Sequence, residues 1–401
     1  MFKKFIFIGT ASVIAILSCE ALLFLAEQIS PKYKAISEKN VIVLPDQKLT
    51  HRPSPHYPEH DSKGFRNERA LSPGESIVVA LGDSQTYGTG VSRDAAWPQQ
   101  LEKLSGLKTY NMAYGGYGPV HSLFLIEEAL AMRPEIILEA FYAGNDLYDS
   151  YNHVYERGHF PELKSTEKKL LQTLSELKES QSFTQSISRE TKTAQNFEQI
   201  KFGPIRNFIS EHSNIYGLLR AVKRFMNIEL RDWEYYRQSA LQTPRSTMPF
   251  EEGSIKTVFS FGFRFIGVDL QNPIIQEGMR ISLEAIRRLH ATAKKNGIAF
   301  LTLLIPTKES VFKDAVFQQN KPIPEKFIKL VENEERLIQI SERFFRKHGV
   351  LFQSCLPPLR ESVQNGQQPF PMSWDGHLNE TGQQVLAKCA FNSLKKFQLV
   401  K

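Results

Sequence analysis

At 401 residues the chain exceeds one minimal domain and suits a single α/β domain carrying an insertion and an anchor. Its net charge of +7 is spread along the whole length among Asp and Glu, with no zinc-type cysteine spacing, aromatic RNA-binding motif or basic tail, so nucleic acid is disfavoured as a partner. A basic surface lying near anionic lipid fits the balance. Of three cysteines, Cys19 falls in the N-terminal apolar run, and Cys355 and Cys389 read as buried free thiols rather than a disulfide framework.

Taken in chain order, Met1-Phe2-Lys3-Lys4 precedes an apolar run from Phe5 to Leu25, broken only by small residues and Glu20. As a helix it is roughly 30 Å long at ~1.5 Å per residue, enough to cross a bilayer core. A cleaved signal peptide is disfavoured because no small-x-small site closes the run. The stretch Ile16-Leu17-Ser18-Cys19 approximates a lipobox, but the apolar pattern continues beyond the cysteine. Residues 1–30 are therefore expected to be an uncleaved transmembrane signal-anchor, in which Glu20 must snorkel or find a partner. Residues 31–75 mix prolines with His51, His56 and His60 without metal-ligand spacing, and read as an extended linker.

From Ser76 the pattern alternates between strands and helices. Strands are expected at Ile77–Leu81, Thr109–Ala113, Glu135–Tyr142, Ile298–Ile305 and Val350–Phe352, the first a short, wholly apolar run as a buried parallel strand is. Helices are expected over Ala95–Leu104, Val120–Met132, Met279–Asn296 (closed by Gly297), Pro324–His348 and Glu380–Lys395. This alternation predicts a five-stranded parallel sheet with helices on both faces, over residues 76–398. Residues 149–272 interrupt it and read as a largely helical insertion, expected to form a wall or lid. Within it Leu218, Leu219, Val222, Phe225 and Met226 share a helical face opposite Arg220, Lys223 and Arg224.

Chemistry-bearing residues fall at the ends of these strands. Gly82-Asp83-Ser84 follows the first, where a ligand crevice opens in such a sheet and where a helix N-terminus favours developing negative charge. Neither a Gly-x-Ser-x-Gly elbow nor a phosphate loop fits the segment. The second strand leads into Tyr114-Gly115-Gly116-Tyr117-Gly118, glycines that let the backbone approach a ligand. The third leads into Gly144-Asn145-Asp146, whose Asn145 amide can donate to an oxyanion. Near the C-terminus, Trp374-Asp375-Gly376-His377 allows Asp375 to orient the His377 ring if the segment is extended. Each piece alone also reads as a turn or cap. Three of them follow successive strands on one rim, and their conjunction with the Asp-His pair points to nucleophilic catalysis.

The order Gly-Asp-Ser, Gly, Gly-Asn-Asp, Asp-x-His resembles the SGNH (GDSL-type) hydrolase superfamily, over about residues 64–150 and 277–395. The resemblance implies a flavodoxin-like three-layer α/β/α fold. It implies Ser84 as nucleophile, His377 as base, Asp375 as its partner, and an oxyanion hole from Ser84, Gly116 and Asn145, with Gly115 close enough to compete. Many members place the Asp three residues before His, whereas Asp375 stands two before. The implied function is a serine ester hydrolase acting on an acylated glycan or lipid, with no metal or organic cofactor. Such an enzyme is expected in the bacterial cell envelope, anchored in the cytoplasmic membrane with its catalytic domain outside the cytoplasm. The alternatives are an O-acetyltransferase using the same triad, and a non-catalytic glycan-binding or scaffold protein.

Overall fold

A computed structural model describes residues 2–29, 43–179 and 231–400, together with 213, 215 and 218. The chain divides into two compact units, one of residues 1–70 and 198–229, the other of 71–197 and 230–401. The first unit holds helix α1 (Phe2–Ile29). Glu20, the charge expected to need a partner, accepts hydrogen bonds from Ser213 Oγ (2.5 Å) and the Ile215 N–H (3.3 Å). Among the described residues no helix is long and apolar enough to cross a membrane, so the transmembrane anchor expected over 1–30 is not supported by the structure.

The stretch 31–75 departs from an extended linker where it is described. Strands β1 (Val43–Asp46) and β2 (Thr50–Pro53) form an antiparallel hairpin, and residues 54–67 fold into turns with Phe65 fully buried. His60 is a core residue: its Nδ1 lies 2.8 Å from the Ser54 carbonyl, and burial lowers its pKa to about 4. Residues 31–42 lie outside the described set.

In the second unit, β3 (Val78–Leu81) leads into the single-turn helix α2 (Ser84–Tyr87), followed by α3 (Trp97–Ser105) and β4 (Thr109–Asn111). Then come α4 (Pro119–Ala131), β5 (Ile136–Tyr142), α5 (Asp146–Tyr151) and α6 (Lys168–Glu179). Past residue 230 the chain forms α7 (Trp233–Leu241), a hairpin of β6 (Met248–Glu252) and β7 (Ile255–Phe259), and α8 (Phe261–Val268). The expected helical insertion thus contains a two-stranded sheet, turned by Gly253 in the left-handed region. Of the amphipathic stretch expected around 218–226, all but Leu218 lies outside the described residues.

The pattern resumes with α9 (Pro273–Lys295) and β8 (Ala299–Ile305), then α10 (Lys308–Val311), α11 (Lys313–Gln318) and α12 (Glu325–His348). Strand β9 (Leu351–Ser354), α13 (Leu356–Gln364) and α14 (Glu380–Lys396) complete it. Helix α9 begins where Asn272 caps the Ile274 N–H and Pro273 takes the first turn, and it ends before Gly297 at φ +72°. The five strands are all parallel, in the order β4-β3-β5-β8-β9. Counted along the sheet that is 2-1-3-4-5, the flavodoxin-like order, with its topological switch between β3 and β5.

Both sheet faces are buried, as a parallel sheet requires. Val78, Ala80, Leu138 and Ala140 join a core with Trp97 and Leu101 of α3 and Leu386 and Ala390 of α14, while the alternate residues Val79, Leu81 and Ile137 are equally inaccessible. The expectation of free thiols is corrected: Cys355 and Cys389 form a disulfide, their Cα atoms 6.0 Å apart. The end of β9 and the middle of α14 share this core, so the fold brings together cysteines whose sequence spacing carries no such signal.

Candidate active site

Ser84 stands at the first position of α2, directly past the end of β3 at the switch point. Gly82 makes the turn at φ +147°, and a Cβ there would come within 2.6 Å of Thr86 Oγ1 and 2.9 Å of Ala140 Cβ. Asp83 caps the helix by accepting the Gln85 N–H at 2.9 Å. The turn holds the Ser84 hydroxyl half-exposed on the rim.

Across 293 positions of sequence, the loop before α14 brings His377 Nε2 to 2.9 Å from Ser84 Oγ. The other ring nitrogen, Nδ1, lies 2.6 Å from Asp375 Oδ1, and the same oxygen accepts the His377 backbone N–H at 3.0 Å. The segment is therefore not simply extended: the carboxylate holds ring and backbone of His377 together, as Asp does in tight turns. This fixes the tautomer with its proton on Nδ1, leaving the Nε2 lone pair toward the serine. The capping of α14 falls to Asn379, which accepts the Gly382 N–H, so neither Asp375 nor His377 is used there.

Two aspartates flank this pair, and their environments separate them. Burial pushes Asp83 up to about 6, against the opposing hydrogen bond from Gln85 and the nearby His377. Burial also opposes ionisation of Asp375, but the hydrogen bonds and charge of His377, with the Lys308 ammonium, hold it well below the usual carboxylate range. Its side chain remains 42% exposed, so the donors rather than desolvation set this direction. Asp375 is thus the permanent anion beside the imidazole.

On the opposite side of Ser84, Tyr114-Gly115-Gly116-Tyr117 forms a turn closed by the Tyr117 N–H on the Tyr114 carbonyl (3.1 Å), with Gly116 at φ +76°. A methyl group on Gly115 would stand 3.9 Å from Ser84 Cβ, so Gly115 lies against the serine and Gly116 takes the left-handed turn position. Asn145 follows β5, and its amide donates to Asp149 Oδ2 at 2.5 Å, which leaves the second amide hydrogen available. Asp146 is fully buried and accepts the Tyr142 N–H at 2.8 Å, closing the turn that presents Asn145. Burial, with the neighbouring Asp83, pushes Asp146 well above the usual carboxylate range, and burial pushes Asp149 up to about 7.

Several supporting residues went unread in the sequence. Gln85, 1% exposed, donates Nε2 to the Gly376 carbonyl (2.9 Å) and accepts the Leu378 N–H (3.1 Å), gripping the loop on both sides of His377. Gln383 of α14 donates to the Gln85 carbonyl and accepts the Trp97 N–H. The buried Lys308 ammonium donates to Thr257 Oγ1, the Val258 carbonyl and the Ser373 carbonyl, tying the β6–β7 hairpin to the same loop. Helix α8 flanks both loops of the site: a Cβ on Gly267 would meet the Gly144 carbonyl at 2.5 Å, and one on Gly376 would meet Arg264 Nη2 at 2.6 Å. The one sequence signal for these was Arg264, a lone cation in Phe261-Gly262-Phe263-Arg264-Phe265-Ile266-Gly267.

No sequence-family model matches the chain, and no curated protein matches it in sequence. Solved structures similar to it include a catalytic mutant of Axe2, an acetylxylan esterase from Geobacillus stearothermophilus, at 9% identity and TM-score 0.37, covering 81% of this chain and 95% of that one. A GDSL-like lipase from Bacteroides thetaiotaomicron is 10% identical with TM-score 0.33, covering 80% of this chain and 88% of its own. LAE5, an alpha/beta hydrolase enzyme from the metagenome of Lake Arreo, Spain, is 10% identical with TM-score 0.35, covering 81% and 97%.

Proposed function

We propose that the protein is a serine ester hydrolase of SGNH type, working through a covalent acyl-serine. The observation that carries this is the continuous Ser84–His377–Asp375 hydrogen-bond chain, at 2.9 and 2.6 Å, on the rim of the sheet at its switch point. His377 Nε2 takes the Ser84 proton as Oγ attacks the ester carbonyl, and Asp375 stabilises the imidazolium. The N–H groups of Ser84 and of the Gly115–Gly116 turn, with the Asn145 amide, stabilise the tetrahedral oxyanion. His377 then gives the proton to the departing alkoxide, and a water it activates releases the acid. We place the reaction outside the cytoplasm, because the Cys355–Cys389 disulfide suits an oxidising compartment.

The test is hydrolysis of aryl acetates by the full chain beside Ser84→Ala and His377→Ala, together with fluorophosphonate labelling. Turnover and labelling should both disappear in Ser84→Ala, and turnover should fall by about 10³-fold or more in His377→Ala. Equal hydrolysis by parent and Ser84→Ala would overturn the nucleophile; no labelling of the parent would favour a non-catalytic scaffold.

A further inference from the structure

The acyl-transfer chemistry gives Arg264 no task, yet the fold makes room for it beside the acid–base loop. Its guanidinium fills the space that a side chain at Gly376 would occupy, with Nη2 2.6 Å and Cζ and Nε 3.2 Å from where that Cβ would stand. Gly376 separates Asp375 from His377, so the cation adjoins the residues that move the proton. The aromatic rings of Tyr142 and Phe263 flank Cζ at 5.7 and 5.5 Å and steer the side chain.

Tyr142, Glu309, Asp375 and Asp83 act on it electrostatically and keep it charged against burial. Even so, among the described residues the guanidinium makes neither an ion pair nor a hydrogen bond. A half-buried guanidinium carries five N–H donors in a planar fork that matches carboxylate or phosphate oxygens two at a time. Among the described residues these donors have no protein acceptor yet reach solvent, so a bound anion replaces water with a charge-assisted pair.

We propose that Arg264 is the anion-recognition residue of this site, binding a carboxylate or phosphate on the alcohol half of the ester, so that the substrates are anionic esters. The assignment to the alcohol half follows from position. Arg264 flanks the loop bearing His377, and His377 must deliver its proton to the departing alkoxide. The inference rests on the ester-hydrolase reading for its chemistry, though not for its binding test. A residue serving only as counter-charge to Asp83 and Asp375 would affect neutral and anionic esters alike.

The experiment compares phenyl acetate, meta-carboxyphenyl acetate and meta-phosphatophenyl acetate with the full chain, each rate corrected for reactivity toward hydroxide. The parent should prefer an anionic ester about tenfold or more in kcat/KM, the size expected of a charge-assisted pair. That preference should collapse in Arg264→Gln and be partly kept in Arg264→Lys, both checked for native melting behaviour. The larger of the two preferences names the anion. Calorimetry of phenol, meta-hydroxybenzoate and meta-hydroxyphenyl phosphate binding needs no turnover. If the parent binds neither anion better than phenol, or Arg264→Gln keeps the full preference, the assignment falls. If anion binding depends on Arg264 but no ester is turned over, the assignment stands and the hydrolase reading falls.

Discussion

Glu139 occupies the middle of β5 with no solvent access; among the described residues it accepts one hydrogen bond, from Ser122 Oγ at 3.1 Å, and its Oε2 has no partner. Burial pushes its pKa up to about 8, so the folded protein holds it protonated where the unfolded chain would ionise it. A raised carboxyl contributes stability that is fully present below its unfolded value near 4.5 and is lost as pH rises through 8. Glu139→Gln should therefore flatten the stability profile between those limits and stabilise the protein above pH 8 by the order of a few kcal/mol. Urea unfolding across that range checks this; an unchanged slope would place the pH dependence elsewhere. The two aspartates of the site make a second contrast. Asp375→Asn should lower kcat by about 10³–10⁴-fold, because an amide no longer fixes the imidazole tautomer. Asp83→Asn, which keeps a capping oxygen for the Gln85 N–H, should cost much less. Comparable losses in both would mean that Asp83, 3.3 Å from Ser84 Oγ, shares the role assigned to Asp375.

Between elements, the connection that aligns the site is the pair of glutamines joining α2, α14 and the loop 376–378. Gln85→Leu deletes one donor and one acceptor and strands the Gly376 carbonyl and Leu378 N–H, costing about 2–4 kcal/mol of stability. His377 then loses its seat opposite Ser84, and a displacement near 1 Å should lower kcat by about 100-fold while KM moves little. Gln85→Glu, which retains the acceptor, should fall between. A KM rise with unchanged kcat in Gln85→Leu would assign this residue to substrate binding instead. This layer of the structure is the least legible in the sequence. The strands Ile136–Tyr142 and Ala299–Ile305 announce themselves by apolar runs between turn signals, and Ser84, Asn145 and His377 by their places at strand ends or ahead of a helix. Gln85 and Gln383 carry no such mark, since nothing in a chain pairs polar residues 298 positions apart before the fold does. The β6–β7 hairpin was hidden differently. Gly253-Ser254 is a two-residue turn signal, but Pro249 and the charged Glu251-Glu252 mask the strand on its left.

On the scale of the second unit, the disulfide ties the sheet edge to the last helix and encloses the acid–base loop. Cys355 and Cys389 are separated by 34 positions, and Asp375 and His377 lie between them. Closing a loop of that size restricts the unfolded chain and should stabilise the fold by about 3–4 kcal/mol. The native loop has other fastenings, however: Gln85 grips it beside His377, Lys308 holds Ser373, and Thr257 Oγ1 donates to the Pro371 carbonyl at 2.8 Å. Stability and activity should therefore separate. Reductant, or the double change Cys355→Ser and Cys389→Ser, should move the denaturant midpoint by an amount equivalent to those few kcal/mol. Turnover at 25 °C should stay within about threefold, because the crosslink acts chiefly on the unfolded state. Thiol titration of the unreduced, denatured protein should find one free cysteine, Cys19, rather than three. Three titratable thiols, or a midpoint indifferent to reductant, would remove both the crosslink and the argument it supplies for an oxidising compartment.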